Sequence, residues 1–168
     1  RRGRSDEMPY GDALPVSTEQ ILHASKYTAR ELPRRVVFSP VVGGDTLVYE
    51  DDFGEFETRV ALQTWGVGEG DATAAAAGWN GDRYEVFGTP RGTALVWVSA
   101  WDTAEDATQF AQALRQAWSG LGGLPPGLRW EVRPSTAATS AIVRFTLAPE
   151  GWAGWRRPPV VRVLPAAS

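Results

Sequence analysis

No cysteine occurs among these 168 residues, which removes disulfides, thiolate nucleophiles and cysteine-ligated zinc or iron–sulfur centres. Histidine is almost as scarce. His23 stands alone, so a zinc site would need carboxylates for its other ligands, a set better suited to calcium or magnesium. Long apolar runs are missing too: no stretch approaches the ~20 residues of a membrane-spanning helix. The opening RRGRSDEMPYGD has neither an initiator methionine nor an apolar core behind its arginines, so it does not read as a signal peptide. It leads us to expect a processed or partial product of a longer gene. With a net charge of −3, the chain also lacks the basic excess of a nucleic-acid binder.

What remains is a globular composition, 43% hydrophobic and 22% charged, in a chain long enough for one domain with a substantial core. Charge is unevenly spread. Residues 45–106 hold 13 acids against Arg59, Arg83 and Arg91, whereas the last eighteen residues carry Arg156, Arg157 and Arg162 and no acid. An acidic body with basic ends can attract its own tail or a charged partner.

The pattern predicts an extended, polar arm over 1–16, an α+β domain over 17–148 and a Pro/Trp/Arg-rich arm over 149–168. Ser17 with Gln20 forms a capping box for a short helix with an apolar side at Ile21, Leu22 and Tyr27. RRVVFSP and TLVYE read as a hairpin around Gly43-Gly44. Phe53, Phe56, Val60 and Leu62 make a helical stripe, with Glu55 and Glu57 in its first turn. An alanine-rich helix over 70–78 is expected against the sheet. DRYEVFG and TALVWVSAW form a second hairpin whose apolar LVWV run marks a central strand. Thr103 and Asp106 cap a helix with Ala107, Phe110, Ala111, Leu114 and Trp118 on one face. RWEVRP and AIVRFTLA add two strands, and 160–164 an edge strand. Strands arriving in adjacent pairs predict a largely antiparallel sheet of about six strands with three or four helices.

Chemistry is thin along this frame. His23 lies four residues after Glu19, and an i, i+4 contact accounts for it; Ser17 and Ser25 are too local for a triad, and no GxSxG elbow occurs. The run Glu50, Asp51, Asp52, Glu55 and Glu57 lacks the spacing of a calcium loop and reads as an acidic helix start. GVGEG has no following Lys-Ser/Thr for a phosphate loop. No catalytic residue, metal ligand or cofactor is expected. GWNGDRY holds Trp79, Asn80, Gly81, Asp82 and Arg83. It reads as a tight turn into a strand or as a ligand site, with Asp82 and Arg83 on opposite faces. Eight tryptophans are many for this length. Trp97 and Trp118 have core periodicity, but Trp152 and Trp155 have none. With Arg156, Arg157, Pro158 and Pro159 they form a candidate partner-binding arm, since Trp and Arg are common anchors. The rival reading is that this arm folds back over the acidic body.

PVSTEQILHASKY, then AAGWNGDRYEVF, ALVWVSAWDT and EDATQFAQAL, in that order, carry a resemblance across 15–147. The chain resembles the C-terminal region of a group of uncharacterised bacterial exported proteins whose N-terminal part carries a predicted HExxH zincin domain. Pro15, Ser17, Thr18, Glu19, Gln20, Leu22 and His23 match their P-x-S-T-E-Q-x-L-H segment. HExxH is absent here, so no catalytic residue carries over, and Ala24 stands where those proteins have proline. The resemblance implies a non-catalytic domain in an exported, periplasmic or cell-surface location.

Together these readings predict an accessory binding or scaffolding domain that docks through its terminal arms onto a protein assembly, subunits of a membrane-bound complex included. Neither a nucleic-acid partner nor a transmembrane segment of its own is expected. Two alternatives stand beside it: a support domain for an upstream zinc peptidase, and a small hydrophobic-ligand pocket between the sheet and the alanine-rich helix.

Overall fold

Strands β3 (Trp79–Thr89) and β4 (Gly92–Trp101) turn at Pro90-Arg91 and form an antiparallel hairpin at the heart of the sheet. The computed structural model describes residues 11–39, 44–137 and 140–166. Around that hairpin, β2 (Thr46–Asp51), β5 (Leu128–Ala137) and β6 (Ser140–Pro149) complete a five-stranded antiparallel sheet in the order β2-β3-β4-β6-β5. The LVWV run thus lies on the central strand, covered on both sides, as its lack of alternation predicts. The chain is a single α+β domain, and no helix among the described residues is long and apolar enough to cross a membrane.

One sheet face is covered by helices. The helix α5 (Ala104–Gly120) starts at the expected capping box, in which Thr103 and Asp106 satisfy each other's amides. Its buried stripe is Ala107, Phe110, Ala111, Leu114 and Ala117. Phe110 stacks 4.5 Å from Trp101 and meets Trp97 edge-on at 5.3 Å. Fully burying each large side chain of this kind contributes roughly 1.5–3 kcal/mol. Helix α4 (Glu69–Ala76) buries Ala72, Ala75 and Ala76, and it packs mainly on α3 (Gly54–Thr64) and α5 rather than on the sheet. Small side chains suit such close helix contacts.

Trp118 is half-buried between Trp65, Trp130 and Phe145, and its buried indole N–H meets no acceptor among the described residues. An unmade buried bond costs about 1–3 kcal/mol, close to what the larger ring gains by packing. Trp118→Phe is therefore expected to alter stability by less than about 1 kcal/mol in urea denaturation. A loss of several kcal/mol would mean that the N–H is satisfied after all.

The other sheet face carries a two-stranded ribbon that local pattern did not reveal. β1 (Arg35–Phe38) does not pair with β2; it pairs with β7 (Val161–Leu164), and β2 pairs with β3. Gly43 of the expected turn lies outside the described residues. The reason for the exchange of partners is burial. Val36 and Phe38, with Val161 and Val163 opposite, cover Phe87, Ala94, Val96 and Val98, which no helix among the described residues reaches. The C-terminal segment is accordingly woven into the domain. Trp152 is 4% exposed, stacks on Phe87 and donates to Asp45 at 2.8 Å. Of the N-terminal arm, 1–10 lie outside the described residues, and Gly11–Ala13 form a 3-10 turn.

The first helical segment is broken at His23 into α1 (Thr18–Leu22) and α2 (Ala24–Ala29). Ser17 caps α1 as expected, accepting from the Gln20 amide, but the Gln20 side chain reaches past it to the Val16 amide. Ile21 faces solvent, and the buried positions of α1 are Glu19 and Gln20. Helix α3 buries only part of its predicted apolar stripe, Leu62 with Phe53 packed beside it. Phe56 and Val60 are exposed, while Gly54, Glu55, Thr58 and Leu62 are buried.

Candidate functional site: a charged cleft at the edge of the sheet

Register and alternation place two kinds of side chain on the ribbon face of the sheet. One row runs Arg83, Val98, Arg144, Arg133 across β3, β4, β6 and β5; the next runs Glu50, Glu85, Val96, Thr146, Glu131 from β2 to β5. The ribbon covers the valines in the middle. Charged groups are left uncovered on both flanks. On the β2–β3 flank they open into a cleft of about 730 Å³, bounded by 15–18, β1, the start of α3 and β3.

Its chemistry is set by carboxylates. Glu50 and Glu85 are directly opposite across β2 and β3, where Cβ atoms are roughly 4.5–5.5 Å apart and like charges repel. Arg83 pairs with Glu50 at 2.5 Å. Glu85 is only 6% exposed and has no hydrogen-bond or ion-pair partner among the described residues. Burial, and then the Glu50 charge, push its carboxyl above the ordinary range, with Arg83 pulling the other way. Asp52 is likewise raised, by burial and by Asp51. Glu57, Arg34 and Arg35 also line the cleft.

Asp82 lies on the helix side of β3 and Arg83 on the ribbon side, as alternation predicts. Asp82 is a buried junction. It accepts from the Phe53 and Gly54 amides at the start of α3, each 3.0 Å away, and from the indoles of Trp79 at 3.1 Å and Trp97 at 2.7 Å. Burial pushes its carboxyl up to about 6 against the pull of the Phe53 and Gly54 amides and the Trp97 indole. Asn80 donates to Asp102 and accepts from the Arg34 amide. Gly81 has φ +114, and a Cβ there would collide with the Arg34 carbonyl oxygen, so only glycine lets β1 approach. GWNGDRY is thus a specified turn, and Trp79, Gly81, Asp82 and Arg83 also line the cleft.

His23 does not contact Glu19 through its side chain. Its Nε2 meets both oxygens of the buried Glu55, at 2.8 and 3.0 Å, and latches the α1–α2 break to α3. No hydroxyl among the described residues hydrogen-bonds the imidazole. Glu19 instead joins Glu31 and Asp102 around the ammonium of Lys26, at 3.1, 2.5 and 2.9 Å. These three carboxylates are close enough to hold a metal ion, but the lysine occupies that position. Burial pulls the Lys26 ammonium down, and its three partners more than reverse this, leaving it above the usual lysine range. Burial raises Glu19 despite Lys26.

Of the predicted partner-binding arm, Trp152 is in the core, and Trp155 is half-buried, donating to the Pro149 carbonyl beneath the Arg129 guanidinium. Arg156, Arg157 and Pro158 are exposed and Pro159 half-buried. The arm folds back, the alternative its composition left open. Glu85 is the site residue that sequence reasoning missed. The available signal was its place between Arg83 and Phe87 at alternate positions of a strand, which puts all three on one face.

Residues 41–146 match the family described as Domain of unknown function (DUF8575). The chain belongs to that family. No curated protein and no solved structure matches it. The DUF8575 region spans β2 to β6 and so contains Glu50, Asp52, Glu57, Asp82 and Glu85; α1, α2 and both ribbon strands lie outside it.

Proposed function

We propose that this DUF8575 member is a non-catalytic binding domain that takes an extended basic segment of a protein partner along β2, with an arginine or lysine reaching Glu85. The observation that carries this is the Glu50–Glu85 pair, two carboxylates directly opposite across β2 and β3, with Glu85 lining an open cleft and lacking an ion-pair partner among the described residues. Holding two like charges opposite each other costs stability, and a cation from a partner offsets that cost. The adjoining edge supports the same reading. β2 is an edge strand exposed at every position, and it presents Leu47, Val48 and Tyr49 to solvent. Such an edge is a template for an added strand, with backbone bonds giving affinity and side-chain pockets giving specificity. The acid excess over 45–106 favours a basic partner.

The binding role expected of the C-terminal arm moves to this edge, because Trp152 and β7 hold the ribbon in place. Removing 151–168 would damage the fold and cannot test docking; Arg156→Ala with Arg157→Ala leaves the core intact and is expected to leave binding unchanged. The exported setting and the accessory role in a larger assembly belong to the same proposal, resting on the sequence resemblance. Fractionation of the source cells tests the location.

The binding test is fluorescence anisotropy of a labelled peptide alternating arginine and valine, against one alternating glutamate and valine. The arginine peptide is expected to bind, more weakly as salt rises, and to lose about tenfold or more with Glu50→Gln plus Glu85→Gln. Equal binding of both peptides, or an unaffected double variant, would sink the reading.

A further inference from the structure

The opposite flank of the ribbon face holds a second cavity, of about 380 Å³, whose charge is of the other sign. Arg133 and Arg144 are directly opposite on β5 and β6, a like-charge pair that is unfavourable unless something neutralises it. Glu131 pairs with Arg133 at 2.9 Å and reaches Arg129 at 3.7 Å. Arg144 has no carboxylate or hydrogen-bond acceptor among the described residues, although it is half-buried. Burial, and then Arg133, lower its affinity for its own proton. Thr146 and Ser135 also line the cavity, together with the apolar Trp155, Pro158, Val161 and Ile142.

We propose that this pocket is a binding site for a small oxyanion, a carboxylate or phosphate group borne on a flat apolar body. A guanidinium offers planar paired donors matched to such groups, and a half-buried one strengthens each bond by excluding water. The volume lies in the range of ligand pockets, and the Trp155 and Pro158 wall suits a ring next to the anionic group. The site is separate from the β2 cleft, since the ribbon lies between them, and it stands or falls without that reading.

The test is calorimetric titration of the purified domain with phenyl phosphate, with benzoate and with neutral benzyl alcohol. At least one of the two anions is expected to bind and the alcohol is not; whichever anion binds tighter names the head group. Arg144→Met keeps the aliphatic stem in place and is expected to weaken binding by about tenfold or more, while Arg83→Met in the other cleft leaves it unchanged. Should Arg144→Met fold poorly, the more exposed Arg133→Met carries the same expectation. Absence of anion binding up to about 10 mM, or binding unaltered in the arginine variants that fold, would overturn the proposal.

Discussion

Replacing Asp82 by alanine is expected to cost about 3–5 kcal/mol of stability at neutral pH, because the change strips the acceptor from four buried N–H donors at once. Two of these are the Phe53 and Gly54 amides, which have no other cap at the start of α3. The other two are the Trp79 and Trp97 indoles, fixed in the core. The loss is less than four separate bonds because the variant also escapes the cost of burying a charge. Urea denaturation reads it directly, and a loss under about 1 kcal/mol would mean that burial of the carboxylate cancels everything it holds.

The same residue carries a pH signature. Its folded value of about 6 exceeds the 3.8 of an unperturbed aspartate, so between these values the folded chain keeps a proton that the unfolded chain has released. Asp82's contribution to unfolding free energy therefore falls as the pH rises from about 4 to about 6, and is level above that. The penalty of Asp82→Ala should accordingly grow as the pH is lowered from 7 to 4. Parallel thermal-melt profiles of the two proteins over that interval would contradict this.

Lys26→Ala is the second large effect, expected at about 3–5 kcal/mol. Lys26 is the only lysine in the chain, and it joins Glu19 of α1, Glu31 beyond α2 and Asp102 at the start of α5 through one ammonium. Without it, three carboxylates converge with no cation, and the Glu19 side chain is 2% exposed. An ion with a preference for oxygen ligands can replace the lost charge, so millimolar calcium should restore part of the melting temperature of the variant and leave the wild type unchanged. Equal calcium effects on both proteins would mean that the cluster does not depend on Lys26.

The parts of the fold legible in the sequence are those decided by short-range pattern. The Thr103–Asp106 capping box, the stripe of α5 and the apolar run of β4 each satisfy a local requirement, and each is found where its spacing puts it. Strand partners are a different matter. RVVF in β1 is as compatible with β2 as with any other strand; its choice of VRVL, more than 120 residues later, is decided by the uncovered apolar patch on the sheet. The orientation of helix α3 escapes the pattern for a related reason. Its Phe56 and Val60 look like a buried stripe, whereas the buried side bears Glu55 and Thr58, satisfied by His23 and by the Gly54 carbonyl. For His23, the spacing to Glu19 is visible within one helical segment, and a contact 32 residues distant is not.

The candidate site divides along the same line. Glu50 and Asp52 stand in a visible acidic run, but only the β2–β3 register brings Glu85 beside Glu50 and buries it. Trp152 looks free in the sequence because nothing near it gives it a period; Phe87 and Asp45, both far earlier in the chain, supply its place.

Amide hydrogen exchange of the domain with and without the arginine–valine peptide tests the central claim most directly. A partner strand added to the edge should slow exchange at the β2 amides that face away from β3, with β5, at the other edge, unchanged. Slowing confined to β5 or to the ribbon, with β2 exchanging as before, would contradict the account.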